Sequence, residues 1–218
     1  MTNALTSDRK GPDTATSAVV FVHGYGADGA DLLGLADPLA PLFPDTAFFA
    51  PDAPDPCTMN PAGRQWFPIP WIDGSSEAEV GIGLASAAAC FTAFLDEVLA
   101  NEGLTPDRLV LVGFSQGTML SLHVAPRRAA PVAAVVGFSG RLMLPGDLAG
   151  AAISKPPVLL LHGDADEVVA FSSMGDADTA LRGAGFAVDT FVMAGVGHGI
   201  SPEGLQRAAG FIHQHLTA

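Results

Sequence analysis

Six short, almost unbroken apolar runs recur along this chain, at residues 18–22, 46–50, 109–112, 132–138, 157–161 and 186–192. A strand with one face in water alternates polar and apolar residues. A continuous run such as Val19-Val20-Phe21-Val22 therefore marks a strand covered on both faces. The segments between keep a different period: Leu32, Leu35, Ala36 and Leu39 recur at helical spacing, as do Leu84, Ala88, Phe91, Leu95 and Val98, and later Leu205, Ala209, Ile212 and Leu216. Covered strands alternating with amphipathic helices imply an α/β fold, a mostly parallel sheet with helices on both faces. With 218 residues, 49% of them hydrophobic, the chain can fill one core. The expected domain spans residues 18–218, after a flexible polar tail over residues 1–17.

One stretch departs from the pattern. Residues 51–76 show no periodicity, are rich in Pro and Gly, and carry both tryptophans, Trp66 and Trp71. A loop this long inside a compact domain is usually functional or disordered, and the aromatic content favours a packed, functional one.

A formal charge of −13 disfavours a nucleic-acid backbone or an anionic membrane surface as partner, since both are repelled at long range. Glycine, proline or polar residues interrupt each apolar run short of the roughly 18 residues of a membrane span, so no stable membrane insertion is expected. The first ten residues lack a charged leader followed by an apolar region, which points to the cytoplasm by default. Cys57 and Cys90 make a poor disulfide framework, and neither is the expected nucleophile. The apolar bias permits a homodimer, although no seam is readable.

The chemistry concentrates after three of the apolar runs. Gly113-Phe114-Ser115-Gln116-Gly117 lies where one run gives way to a helix-like stretch, the context of a nucleophile elbow. A serine on so sharp a turn needs small residues two positions to either side, because the backbone is strained and the helix packs close to the strand. His162-Gly163-Asp164-Ala165-Asp166 and Gly195-Val196-Gly197-His198-Gly199 follow later runs and supply an acid and then a histidine. Ser, Asp, His is the chain order of the α/β-hydrolases. A rival motif, Gly24-Tyr25-Gly26-Ala27-Asp28-Gly29, with Asp52 beyond the next run, fits a dinucleotide-binding fingerprint. A dinucleotide-binding protein leaves the elbow and both later loops without a role, whereas a hydrolase uses this turn as well, for one oxyanion-hole N–H. A non-catalytic binding module on the same fold is a third alternative.

Five motifs taken together resemble the phospholipase/carboxylesterase family, the esterase group that includes the acyl-protein thioesterases. They are residues 23–29, Arg64-Gln65-Trp66-Phe67, and the segments around Ser115, Asp166 and His198; the resemblance runs from about residue 18 to the C-terminus. Tyr25 and the 64–67 segment resemble bacterial members more than animal thioesterases. The resemblance implies an α/β-hydrolase fold and a serine carboxylesterase acting on small esters, with acyl-protein thioesterase or lysophospholipase as the alternatives; the long aromatic loop and the lack of a basic surface add the expectation of short- to medium-chain acyl groups. It implies Ser115 as nucleophile, His198 as base and Asp166, in preference to Asp164, as the acid. The backbone N–H groups of Tyr25 and Gln116 are the expected oxyanion hole, and the chemistry needs no metal or organic cofactor. Trp66, Leu142 and Val168 are candidates for the acyl pocket, near strand ends or in the long loop. His23, His123, His162, His213 and His215 are expected to be structural, as is Ser139, where Arg141 stands in place of an elbow's second glycine.

Overall fold

The computed structural model describes residues 4–216. The chain begins with β1 (Ser7–Lys10), β2 (Ser17–Val22), α1 (Gly29–Leu33), α2 (Ala36–Leu39) and β3 (Thr46–Pro51). The long loop contains β4 (Asp55–Pro56), β5 (Arg64–Gln65) and α3 (Pro70–Asp73), and leads into α4 (Glu77–Glu102). There follow β6 (Leu109–Phe114), α5 (Gln116–Val124), β7 (Ala134–Phe138), α6 (Leu148–Ala151), β8 (Val158–Gly163), α7 (Ser172–Gly183), β9 (Val188–Met193) and α8 (Pro202–Leu216).

Seven strands form one sheet in the order β1-β3-β2-β6-β7-β8-β9, and every pairing except β1 with β3 is parallel. This is the α/β-hydrolase architecture expected from the sequence. Adjacent residues of one strand serve opposite cores, as the period of two requires. From β2, Ala18, Val20 and Val22 join the core with α4, α5 and α7, while Val19 and Phe21 join the core with α1, α2 and α8. Leu109 and Leu111 of β6, and Val110 and Val112, divide in the same way.

Residues 7–10, expected within a flexible tail, instead pair antiparallel with β3 from Ser7↔Pro51 to Lys10↔Phe48. Strand β1 is largely exposed and charged, so its backbone hydrogen bonds leave no apolar signature. Arg9 anchors it through a two-pronged ion pair to Glu102, 2.8 and 2.9 Å. The first three residues of the expected tail lie outside the described residues.

Helix α4 also departs from expectation. By length and composition it is apolar enough to cross a membrane, because its many alanines and larger apolar residues outweigh the glycines and polar residues that interrupt the run. Its larger residues, Leu84, Phe91, Leu95 and Val98, are buried in the core of this fold. A capping box of Ser76 and Glu79 starts the helix, and Gly103, left-handed at φ 66°, ends it.

Candidate active site

The strand order reverses beside β2: the chain goes from β2 to β3 on one side and returns to β6 on the other. Loops leaving the C-terminal ends of β2 and β6 therefore flank a crevice, where open α/β sheets bind ligands. The loop after β6 is the serine turn and the loop after β2 is the glycine turn.

Ser115 adopts φ 53° and ψ −115°, a strained conformation for a residue with a side chain. Two contacts hold it: its N–H donates to Phe138 O at 2.9 Å, and its carbonyl accepts from Met119 N–H at 3.2 Å. The flanking glycines are steric requirements, since a β-carbon at Gly113 would lie 2.5 Å from Thr118 N and one at Gly117 would collide with Val22 O. The glycine turn packs directly on the serine. A β-carbon at Gly24 would approach Ser115 Cβ to 3.3 Å. Gln116 is the first residue of α5, so its N–H has no helical acceptor and lies at the positive end of the helix dipole.

The long loop buttresses this turn. Gly26 N–H donates to Arg64 O and Arg64 N–H to Ala27 O, both at 2.8 Å, and Asn60 Nδ2–H donates to Gly26 O at 2.8 Å. The buried Gln116 side chain accepts from Trp66 N–H at 2.9 Å and donates to Phe67 O at 2.6 Å. Burial, with Cys57 and Asp73 beside it, pushes the Tyr25 phenol above its usual range. The phenol stays protonated and donates to Asp73 Oδ2 at 3.2 Å. Sequence reasoning did not find these side-chain roles of Gln116, Tyr25 and Asp73, because their partners lie about 50 residues away in sequence.

Trp66, expected in the acyl pocket, is instead fully buried behind the site. Its indole N–H donates to His23 O at 3.0 Å and its ring packs on Phe91 at 5.6 Å. A side chain without exposed surface supports the crevice rather than lining it. Leu142 is buried beside a cleft formed with Arg141, Pro145, Ser173 and Asp176, whereas Val168 is exposed. The Arg141 guanidinium stands 5.1 Å over the Trp71 ring.

The loops after β8 and β9 are fastened together. Ala165 N–H donates to Val196 O at 3.1 Å, and a β-carbon at Gly163 would strike the same carbonyl. This brings His198 Nδ1 to 2.8 Å from Asp166 Oδ2. The Asp166 side chain is fully buried, while the imidazole keeps an 18% exposed face. Asp166 Oδ1 accepts from Val168 N–H and Val169 N–H, each at 2.9 Å. Burial favours the neutral acid, but the hydrogen bonds from His198, Val169 and Val168 outweigh it and hold this carboxyl below the usual range. Phe114, next to the serine, packs against His198 at 4.9 Å between ring centres. Asp164 is exposed and accepts from Gly195 N–H at 2.6 Å.

Two other groups are placed by their bonds. His23 Nε2 accepts from Ala53 N–H at 3.0 Å, so the ring proton sits on Nδ1 and faces Gly24 O at 2.8 Å; burial lowers its proton affinity. Ser139 repeats the left-handed backbone of Ser115 at φ 49° on the adjacent strand end. It is fully buried, and its hydroxyl has no hydrogen-bond partner among the described residues.

Residues 7–216 match the phospholipase/carboxylesterase family. The solved structure of esterase PE8 superimposes with a TM-score of 0.93 at 38% identity, covering 98% of this chain and 100% of that one. Esterase YpfH of Escherichia coli strain K12 is 28% identical, with 89% of this chain and 81% of the relative covered. Acyl-protein thioesterase 1 of Gibberella zeae is 27% identical, with 92% and 91% covered. A match of this extent, on an α/β-hydrolase sheet with the serine turn at its crevice, means that the chain belongs to the phospholipase/carboxylesterase family and is a carboxylic ester hydrolase.

Proposed function

We propose that Ser115, His198 and Asp166 form a catalytic triad that hydrolyses small, neutral esters of short to medium acyl chain through an acyl-enzyme. The observation that carries this reading is the 2.8 Å bond from His198 Nδ1 to the buried Asp166 carboxylate. It fixes the tautomer that leaves Nε2 free to accept a proton, in a loop packed against the strained serine turn. Ser115 Oγ attacks the acyl carbon as His198 takes its proton, and His198 then protonates the leaving alcohol. Asp166 orients the imidazole and stabilises its charged form without taking the proton. The N–H groups of Gln116 and Tyr25 hold the oxyanion, the first aided by the dipole of α5. Water, activated by the same histidine, releases the acid.

Small substrates are favoured because the long loop is fastened to the serine and glycine turns through Gln116 and Tyr25 rather than standing free as a lid. The formal charge of −13 disfavours anionic lipid surfaces. The Gibberella relative's name makes a thioester the natural comparison substrate.

Ser115→Ala is expected to fold normally and to lose turnover by roughly 10⁶-fold, the size of the loss in another serine hydrolase. A fluorophosphonate should label the wild type at Ser115. A well-folded Ser115→Ala protein that still hydrolyses aryl esters overturns the mechanism. Profiling aryl esters of increasing chain length beside a thioester and a lysophospholipid tests the substrate class; preference for emulsified long chains would reject it.

A further inference from the structure

We propose that His162 is a positioning residue for the acid of the triad: from the end of β8 it bears on Asp166 Oδ2, the oxygen that accepts from His198, and sets the orientation of that carboxylate. The inference rests on the triad reading given above. His162 Nε2 lies 2.9 Å from Val169 O and 3.2 Å from Asp166 Oδ2. A carbonyl oxygen can only accept, so the proton of the imidazole must sit on Nε2. That N–H donates to Val169 O, and its positive charge density also lies 3.2 Å from Asp166 Oδ2, an electrostatic contact rather than a second hydrogen bond. Both side chains are buried, 1% and 0% exposed, so little water competes with the interaction and the local dielectric is low.

The contacts close a ring. Val169 donates its N–H to Asp166 Oδ1 and offers its carbonyl to His162 Nε2, which reaches back towards Asp166 Oδ2. Phe171 packs edge-on to the His162 ring, with centres 6.1 Å apart and planes at 79°. Among the described residues, two titratable side chains face Asp166: His162 from β8 and His198 from the loop after β9. Asp164 is bonded instead to Gly195 N–H. With Oδ1 fixed by backbone and Oδ2 bonded to His198 with the His162 N–H close beside it, the carboxylate plane is defined before His198 becomes charged, which is what an orienting acid requires. The positive end of the His162 N–H dipole near Oδ2 also tempers the carboxylate's pull on the imidazolium.

The test uses His162→Phe, which removes the donor, and His162→Gln, whose amide nitrogen extends about as far from the backbone as Nε2 and still donates. His162→Phe is expected to lower kcat on an aryl ester by roughly 10- to 100-fold with KM nearly unchanged, the range seen when a partner that orients a functional histidine is lost. The acidic limb of kcat/KM should move to higher pH by ~1 unit, because Asp166 has lost the positive end of a nearby N–H dipole and favours charged His198 more strongly. His162→Gln should restore both. A purely structural role would lower the melting temperature and leave the limb in place. A folded His162→Phe protein with wild-type kcat and limb, or a folded His162→Gln protein that restores neither, overturns the proposal. Should His162→Phe fail to fold, imidazole nitrogen NMR of the wild type decides: the Nε2–H tautomer is required, and Nδ1–H rejects it. Fluorophosphonate labelling separates the two failures, since an unlabelled wild type removes the triad itself, whereas normal labelling with an indifferent His162→Phe removes only this role.

Discussion

Two aspartates stand two positions apart in the loop after β8, and their surroundings differ. Asp164 is exposed and pins the histidine loop by accepting from Gly195 N–H, where the backbone is left-handed at φ 70°. Asp166 is buried against His198. Asp166→Asn is therefore expected to fold and to lose turnover by around 10⁴-fold, because an amide presents the wrong hydrogen-bonding partner to the imidazole. Asp164→Asn should chiefly lower the melting temperature. Steady-state kinetics and melting curves on both variants check the assignment, and loss of turnover confined to Asp164→Asn reverses it. The residues alone left this choice open, because sequence spacing does not encode which of two neighbouring carboxylates turns inward; the family resemblance pointed to the second. Ser115 was legible for the opposite reason: its flanking glycines are steric requirements of the turn and appear in the sequence as such. Trp66 misled because an aromatic in a long loop looks like a pocket wall, whereas hydrogen bonding to His23 O draws it behind the site.

The elements that were legible are those whose burial is complete. Strands β2, β6 and β8 are covered on both faces and appear as unbroken apolar runs. Strand β1 was not legible, because an exposed edge strand is held by backbone hydrogen bonds that any side chain permits. The long loop falls between these cases: its existence was plain, but the bonds that hold it were not, among them the two made by the Gln116 side chain. Gln116→Ala would leave the buried Trp66 N–H and Phe67 carbonyl without their partners. At about 1–3 kcal/mol for each stranded group, the expected loss of stability is on the order of 2–6 kcal/mol. Denaturant titration measures it. Turnover of the folded fraction should fall as well, because the same loop braces Tyr25. A Gln116→Ala protein of wild-type stability and activity would show that the loop holds its place without this clamp.

Across the molecule, buried histidines oppose a set of bonded carboxylates as the pH changes. Burial lowers the proton affinity of His23, and protonating its Nε2 would break the bond from Ala53 N–H. Burial, with Arg127 nearby, pushes His123 down to about 4, and its Nδ1 has no hydrogen-bond partner among the described residues. In the unfolded chain a histidine titrates near 6.5. Between that value and the folded one, the unfolded state binds protons that the folded state refuses, so stability declines as pH falls from about 6.5 and, for His123, continues to decline to about 4. Asp166 and Asp73 act lower on the scale. Their folded values are depressed, so the stability they provide is present above the unfolded carboxylate range near 3.9 and is lost as pH falls through their folded values. Relief of the −13 charge works in the opposite direction, but salt screens that long-range repulsion far more than it screens buried groups. At fixed physiological ionic strength the melting temperature is thus expected to fall steadily from pH 7 to pH 4.5, before the carboxylates contribute. His123→Leu, which keeps an apolar helix face and removes one titrating group, should make that decline shallower without altering it below pH 4. Melting curves of the two proteins across this range test the assignment, and parallel curves would mean that the acid sensitivity comes from elsewhere in the fold.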